Sequence, residues 1–291
     1  MTSPKHTHDS SLVAQAISSI ESGLGEGPLW IPEEQALYWV DISGQSLNCF
    51  ADGEASVVAK FKQPVCAVAK AKEGGLLLAV GLKILLLDRN GRIIRQIAEL
   101  SDAPSNHRCN DGKVDPHGRF WVGTMSPNAK EGAGALYRVE PDGQTYKVLE
   151  GLCIPNGMAW SSDHKTFYFI DSPTREVWAH NYEPSSGCLA DKRVAIRIPD
   201  SMGIPDGMAI DREDHLWIAH WGDAMVRCWD PRTSELIRTV RTDAALTTSC
   251  CFGGADLDEL FITTASGSSS NGCVFRANAP SRGLLPFVFG S

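Results

Sequence analysis

The chain has 291 residues and a formal net charge of -8, so it is a poor partner for nucleic acid or for an anionic membrane surface. No run approaches the ~18 apolar residues of a membrane span. The nine cysteines include no C-x-x-C pair, which excludes the usual zinc-finger and dithiol redox frameworks.

In chain order, residues 1–12 read as a polar, disordered tail carrying His6, His8 and Asp9, without the apolar stretch of a secretory signal. Residues 13–291 read as a single domain. No long amphipathic helix is evident. Instead a short apolar strand recurs six times: Leu37–Val40, Leu76–Val80, Phe120–Gly123, Phe167–Ile170, Leu216–Ala219 and Leu260–Thr263. With Tyr38, Leu77, Trp121, Tyr168, Trp217 and Phe261 as markers, the spacings are 39, 44, 47, 49 and 44 residues. A period of about 40–50 residues is that of a propeller blade. The expected fold is all-β, a six-bladed β-propeller of four-stranded antiparallel blades around a central channel.

A strand rich in small residues precedes each copy and suits the crowded channel wall. Turns at Asp115–Gly118, Ser161–His164 and Asp211–Asp214 join the two strands in three of the copies. The segment from Val13 to Ile20 is available to supply the last outer strand and close the ring.

The first residues of the six inner strands are Glu26, Val65, Asp111, Asn156, Asp206 and Ser249. A propeller brings these positions together at one end of its channel. Converging carboxylates repel unless a cation neutralises them, and oxygen-only donors suit a hard divalent ion. Asn-Gly and Asp-Gly are also common turn dipeptides, so one copy alone would mean little; three copies in register with Glu26-Gly27 point to a metal site. Ser172, His164 and Asp163 make no credible triad, because Asp163-His164 lies in a turn and G-x-S-x-G is absent. His107 and Trp221 are candidates for the rim of the mouth.

Several blocks, in order, resemble the senescence-marker protein, gluconolactonase and luciferin-regenerating-enzyme family: Gly25–Trp30, Arg108–Asp115 with Gly118–Met125, Asn156-Gly157 with Phe167–Ser172, Ile204–Met208 with Leu216-Trp217, and Thr247–Gly254. The resemblance covers the chain from about residue 20. It implies one divalent metal ion, Ca²⁺ first and Mg²⁺, Mn²⁺ or Zn²⁺ as other possibilities, held by Glu26, Asn156 and Asp206. It also implies sugar contacts from Arg108 and Asn110, with Asp111 facing the mouth if Asn110 does not. Asp206 would serve as catalytic base or help to hold a water on the metal.

The expected function is hydrolysis of a small sugar (aldono-) lactone to its aldonic acid, the metal polarising the carbonyl. Other ester or phosphotriester hydrolysis, a calcium-binding regulator and an interaction platform are the alternatives. One departure bears on the substrate: the stretch 126–133 is short, and Glu131 is the one acidic residue in it. The odd cysteine count, with Cys250 and Cys251 adjacent, fits free thiols in a reducing compartment, hence the cytoplasm. A monomer or weak homodimer without nucleic-acid or membrane partners is expected.

Overall fold

The computed structural model describes residues 12–72, 74–267 and 270–291. Most of the polar tail expected over residues 1–12 lies outside them; Leu12, its last residue, already belongs to a strand. Among the described residues the chain forms strands and two 3-10 turns, with no α-helix, and hence no helix able to cross a membrane.

Six four-stranded antiparallel blades follow one another along the chain. Their inner strands are Gly25–Ile31, Val65–Lys70, Arg108–Val114, Pro155–Trp160, Ile204–Ile210 and Thr247–Gly253. Each packs against the next, and the sixth packs against the first, so the ring closes. The marker strands expected from the repeat are the second strand of each blade.

Closure uses both termini. Gln15–Ala16 pairs with Phe275–Arg276 as the outer strand of the sixth blade, inside the segment that the sequence offered for this role. Leu12–Val13 runs parallel to Val240–Arg241 and extends the fifth blade to five strands. At the other end of the chain, Gly283–Ser291 straps the base of the channel. Its backbone bonds to Leu257, Lys70, Lys72 and Gly118, and Phe289 is buried.

Blade-to-blade packing explains the aromatic markers. Trp30 stacks on Phe261 across the seam between the first and last blades, at 5.2 Å between ring centres. Trp121 meets Trp160 at 5.8 Å, and Trp217 meets Phe252 at 5.6 Å. Each such pair adds about 1 kcal/mol beyond area burial.

The turns at Asp115, Ser161 and Asp211 close as expected, with Gly118, His164 and Asp214 at positive φ. The Asn-Gly and Asp-Gly pairs, in contrast, lie inside the inner strands and are not turns.

Candidate metal centre and its mouth

All six inner strands carry a register shift at the same level, next to the ring position: between Glu26 and Leu29, Val65 and Ala67, Cys109 and Gly112, Asn156 and Met158, Pro205 and Met208, and Thr247 and Ser249. A β-bulge bends its strand and re-aims a side chain. Repeated around a closed ring, the bulges turn Glu26, Asp111, Asn156 and Asp206 toward one axis. Glycine follows each of these residues. At two of them the neighbouring strand leaves no room for a Cβ: one on Gly157 would lie 2.7 Å from the Asp206 carbonyl oxygen, and one on Gly207 would lie 2.2 Å from Ser249 Oγ; Gly27 has the space but sits at φ +51°.

The four ring residues are buried. Glu26 Oε2 accepts the Gly27 N–H at 3.1 Å, and Asp111 Oδ1 accepts the Gly112 N–H at 2.7 Å. Asn156 Nδ2 donates to Ser172 Oγ at 3.0 Å, which leaves Asn156 Oδ1 turned away from that bond. Asn156 Oδ1 and Asp206 Oδ1 are both buried without a hydrogen-bond partner among the described residues. Two orphaned oxygens at one level of a channel lack the donors that buried acceptors ordinarily find.

Burial, and then the neighbouring Asp111, push the Glu26 carboxyl up to about 8. Burial, then Glu26 and Asp111, hold Asp206 well above the usual carboxylate range. Burial also raises Asp111, against the pull of Lys113. These three acids therefore sense one another, which places Asp111 in the acidic centre with the other two.

Longer-range contacts fix the loops that lead into the ring. Asp41 accepts the N–H groups of Gly23 and Leu24 at 2.9 and 3.0 Å, just before Glu26. Asp171 does the same for Cys153 and Ile154 at 3.0 and 2.7 Å, just before Asn156. Thr248 donates to the Gly25 carbonyl oxygen across the ring seam. No local sequence motif marks Ser172, Asp41 or Asp171 for these contacts. The signal for the two aspartates was an acid closing the second strand of two blades, each about 17 residues from its partner.

At the mouth, Arg108 Nη1 donates to the Cys109 carbonyl at 2.8 Å and to Asn110 Oδ1 at 2.7 Å. Asn110 Nδ2 donates to the Pro155 carbonyl at 3.0 Å. Asn110 thus bridges Arg108, whose side chain is half-buried, to the next blade. His107 and Trp221 are partly buried and lie beside the strand starts at Arg108 and Ile204, on the mouth side. Glu131 is exposed, on the loop whose Ala129 carbonyl accepts the Cys153 thiol, and its charge reaches Asp171. Ser172 and His164 occupy opposite ends of the fourth blade, the former on Asn156 and the latter against Phe287 of the base strap, so no triad forms.

Below the ring the channel holds a cavity of about 120 Å³ lined by Trp30, Lys113, Cys251 and Phe252 and floored by Leu284–Phe287. Lys113 Nζ donates to the Met208 carbonyl there at 2.7 Å. The strap crosses this end of the channel.

The chain matches known proteins over most of its length. A family model described as SMP-30/Gluconolactonase/LRE-like region covers residues 24–266. Regucalcin of Danio rerio is 36% identical over 259 residues, 88% of each chain. YvrE of Bacillus subtilis (strain 168), which carries a sugar lactone lactonase name, is 37% identical over 244 residues, 83% of each. The crystal structure of a calcium-binding protein, regucalcin, from Agrobacterium tumefaciens superposes with a TM-score of 0.90 at 26% identity, over 97% of this chain and 98% of that one. The ring of acids, the blade count and these matches agree: the chain belongs to the SMP-30/gluconolactonase/LRE-like family.

Proposed function

We propose that the chain hydrolyses a small sugar lactone, of the aldonolactone class, to the open hydroxy acid. The observation that carries this is the pair of orphaned buried oxygens on Asn156 and Asp206 beside the proton-retaining Glu26. One amide and two carboxylate donors fit a hard divalent cation, Ca²⁺ first, and neutralise its charge without thiolate or imidazole. Glu26, Asn156 and Asp206 would hold it. When bound, such an ion supplies Lewis-acid stabilisation of the negative charge that develops on the lactone carbonyl oxygen.

The side chains do the rest. Asp206 orients the attacking water through a carboxylate oxygen and takes its proton as the new C–O bond forms. The ring C–O bond then breaks, and the proton passes to the departing alkoxide. Arg108 donates to sugar hydroxyls, held in register by Asn110. Ser172 fixes the Asn156 amide so that its oxygen faces inward.

The name of YvrE supports the lactone reading, and the Agrobacterium regucalcin structure, described as a calcium-binding protein, supports the choice of ion. Nine unpaired cysteines fit a reducing compartment, the cytoplasm. The test is Asp206→Ala: lactone turnover and calcium binding vanish together while the circular-dichroism spectrum is kept. Turnover that survives in this variant overturns the assignment.

A further inference from the structure

The third and fifth blades repeat one device at their bases. In each, an aspartate opens the turn after the inner strand and is fully buried: Asp115 and Asp211. Asp115 Oδ1 accepts the N–H groups of His117 and Arg119 at 2.9 and 3.0 Å; Asp211 Oδ1 accepts those of Glu213 and His215 at 3.0 and 2.9 Å. Each Oδ2 takes an indole N–H, from Trp121 at 2.8 Å and from Trp217 at 3.0 Å.

The two differ in what neutralises the charge. Asp115 Oδ2 also receives Arg119 Nε at 2.6 Å and the Tyr182 hydroxyl at 2.8 Å. At Asp211 the residue matching Arg119 is His215, whose Nδ1 stands 3.4 Å from Oδ2. The residue opposite the tryptophan on the next strand is Arg138 in the third blade and Cys228 in the fifth. The arginine on the carboxylate is thus replaced by an imidazole, and a thiol takes the place of an arginine that in the third blade is bound to Glu140. Ligand atoms of Asp211, His215 and Cys228 lie within 4.8 Å of one another, and Cys228 is buried.

We propose that Asp211, His215 and Cys228 form a second metal site, for zinc or a similar borderline transition metal, at the base of the fifth blade. A buried carboxylate without an arginine needs another cation. One thiolate, one imidazole and one carboxylate select Zn²⁺ and not Ca²⁺, with water as the fourth ligand. Binding releases the Cys228 thiol proton to solvent. The site is independent of the mouth: Asp206 and Asp211 are five residues apart on an extended strand, roughly 16 Å at ~3.3 Å per residue. It lies beside the base strap, since Arg212 N–H donates to the Arg282 carbonyl, so the metal would pin the C-terminal closure of the channel.

The experiment is equilibrium dialysis of the reduced, chelator-stripped full chain against Zn²⁺ alone, with metal analysis. An Asp206→Asn background disables the mouth. The expected result is one zinc per chain in that background and none after adding Cys228→Ser or His215→Gln. Co²⁺ in place of Zn²⁺ gives a thiolate charge-transfer band that disappears in the Cys228→Ser chain. No zinc in the Asp206→Asn chain overturns the proposal and leaves Asp211–His215 an ordinary ion pair. Zinc retained after Cys228→Ser, with exposed Cys188 or another thiol as its ligand, overturns it equally. Where Cys228→Ser fails to fold, His215→Gln and the cobalt band decide.

Discussion

Replacing Glu26 by glutamine should stabilise the cation-free protein and abolish its response to calcium. Glu26 keeps its proton up to about pH 8, although an unfolded glutamate releases it near 4.5. Between those values the native state binds more protons than the unfolded state, so stability falls as pH rises. At pH 7 the span is about 2.5 pH units, and at ~1.36 kcal/mol per unit the cost is about 3 kcal/mol. Glutamine keeps the shape and removes that cost. At about 2 °C per kcal/mol for a chain of this size, Glu26→Gln should melt about 6 °C above wild type in chelator at pH 7. The two should converge near pH 4.5. Calcium at a hundred times Kd stabilises wild type by about 2.7 kcal/mol and leaves the variant where it was, which closes the gap; at a thousand times Kd, about 4.1 kcal/mol, the order reverses. Thermal melts at pH 4.5 and 7, with chelator and with Ca²⁺, read all four arms. A chelated Glu26→Gln chain that melts at or below wild type at pH 7 would refute the idea that carboxylates are crowded here without a cation.

Ser172→Ala should leave the fold intact and weaken calcium affinity by 10–100-fold, the usual effect of losing a group that orients a ligand; calorimetric titration measures it. Gly157→Ala places a Cβ 2.7 Å from the Asp206 carbonyl oxygen and should cost about 1–3 kcal/mol in chemical denaturation, with lactone turnover falling further than stability. His220 is held down to about 3 by burial, chiefly, and by Arg227. It stays neutral in the fold while the unfolded chain protonates near 6.5, so stability is lost as pH drops below 6.5, by up to ~1.4 kcal/mol per unit. His220→Gln should flatten that acid limb in denaturation curves taken between pH 4 and 7, and an unchanged slope would contradict it.

The fold was legible because a propeller writes its period into the chain: Trp121 and Trp217 mark the same position of two blades, and both are completely buried between blades. The repeat also singles out Glu26, Asn156 and Asp206, which lie near the start of the first, fourth and fifth inner strands. The bulges that aim them were not, because an extra backbone residue leaves no mark in side-chain pattern; Asp206-Gly207 looks the same in a turn and in a bulged strand. Asn110 and Asp111 were ambiguous for that reason. Only the folded structure sets Asp111 near Glu26 and Asp206, while Asn110 bonds to Arg108 and Pro155. Ser172 and Asp171 act on residues 16 to 18 positions away, beyond any local motif. The base strap escaped notice because Leu284–Phe287 has no strand or helix periodicity; it is held by blades far earlier in the chain.

The most direct measurement of the central claim is acid release from glucono-, galactono-, xylono- and arabinono-lactone. The chelator-stripped chain would be assayed alone and with Ca²⁺, Mg²⁺, Mn²⁺ or Zn²⁺. Turnover of at least one lactone that appears with a divalent ion and returns to background in chelator is the predicted result. Folded protein that binds the ion yet opens none of these rings would contradict the account.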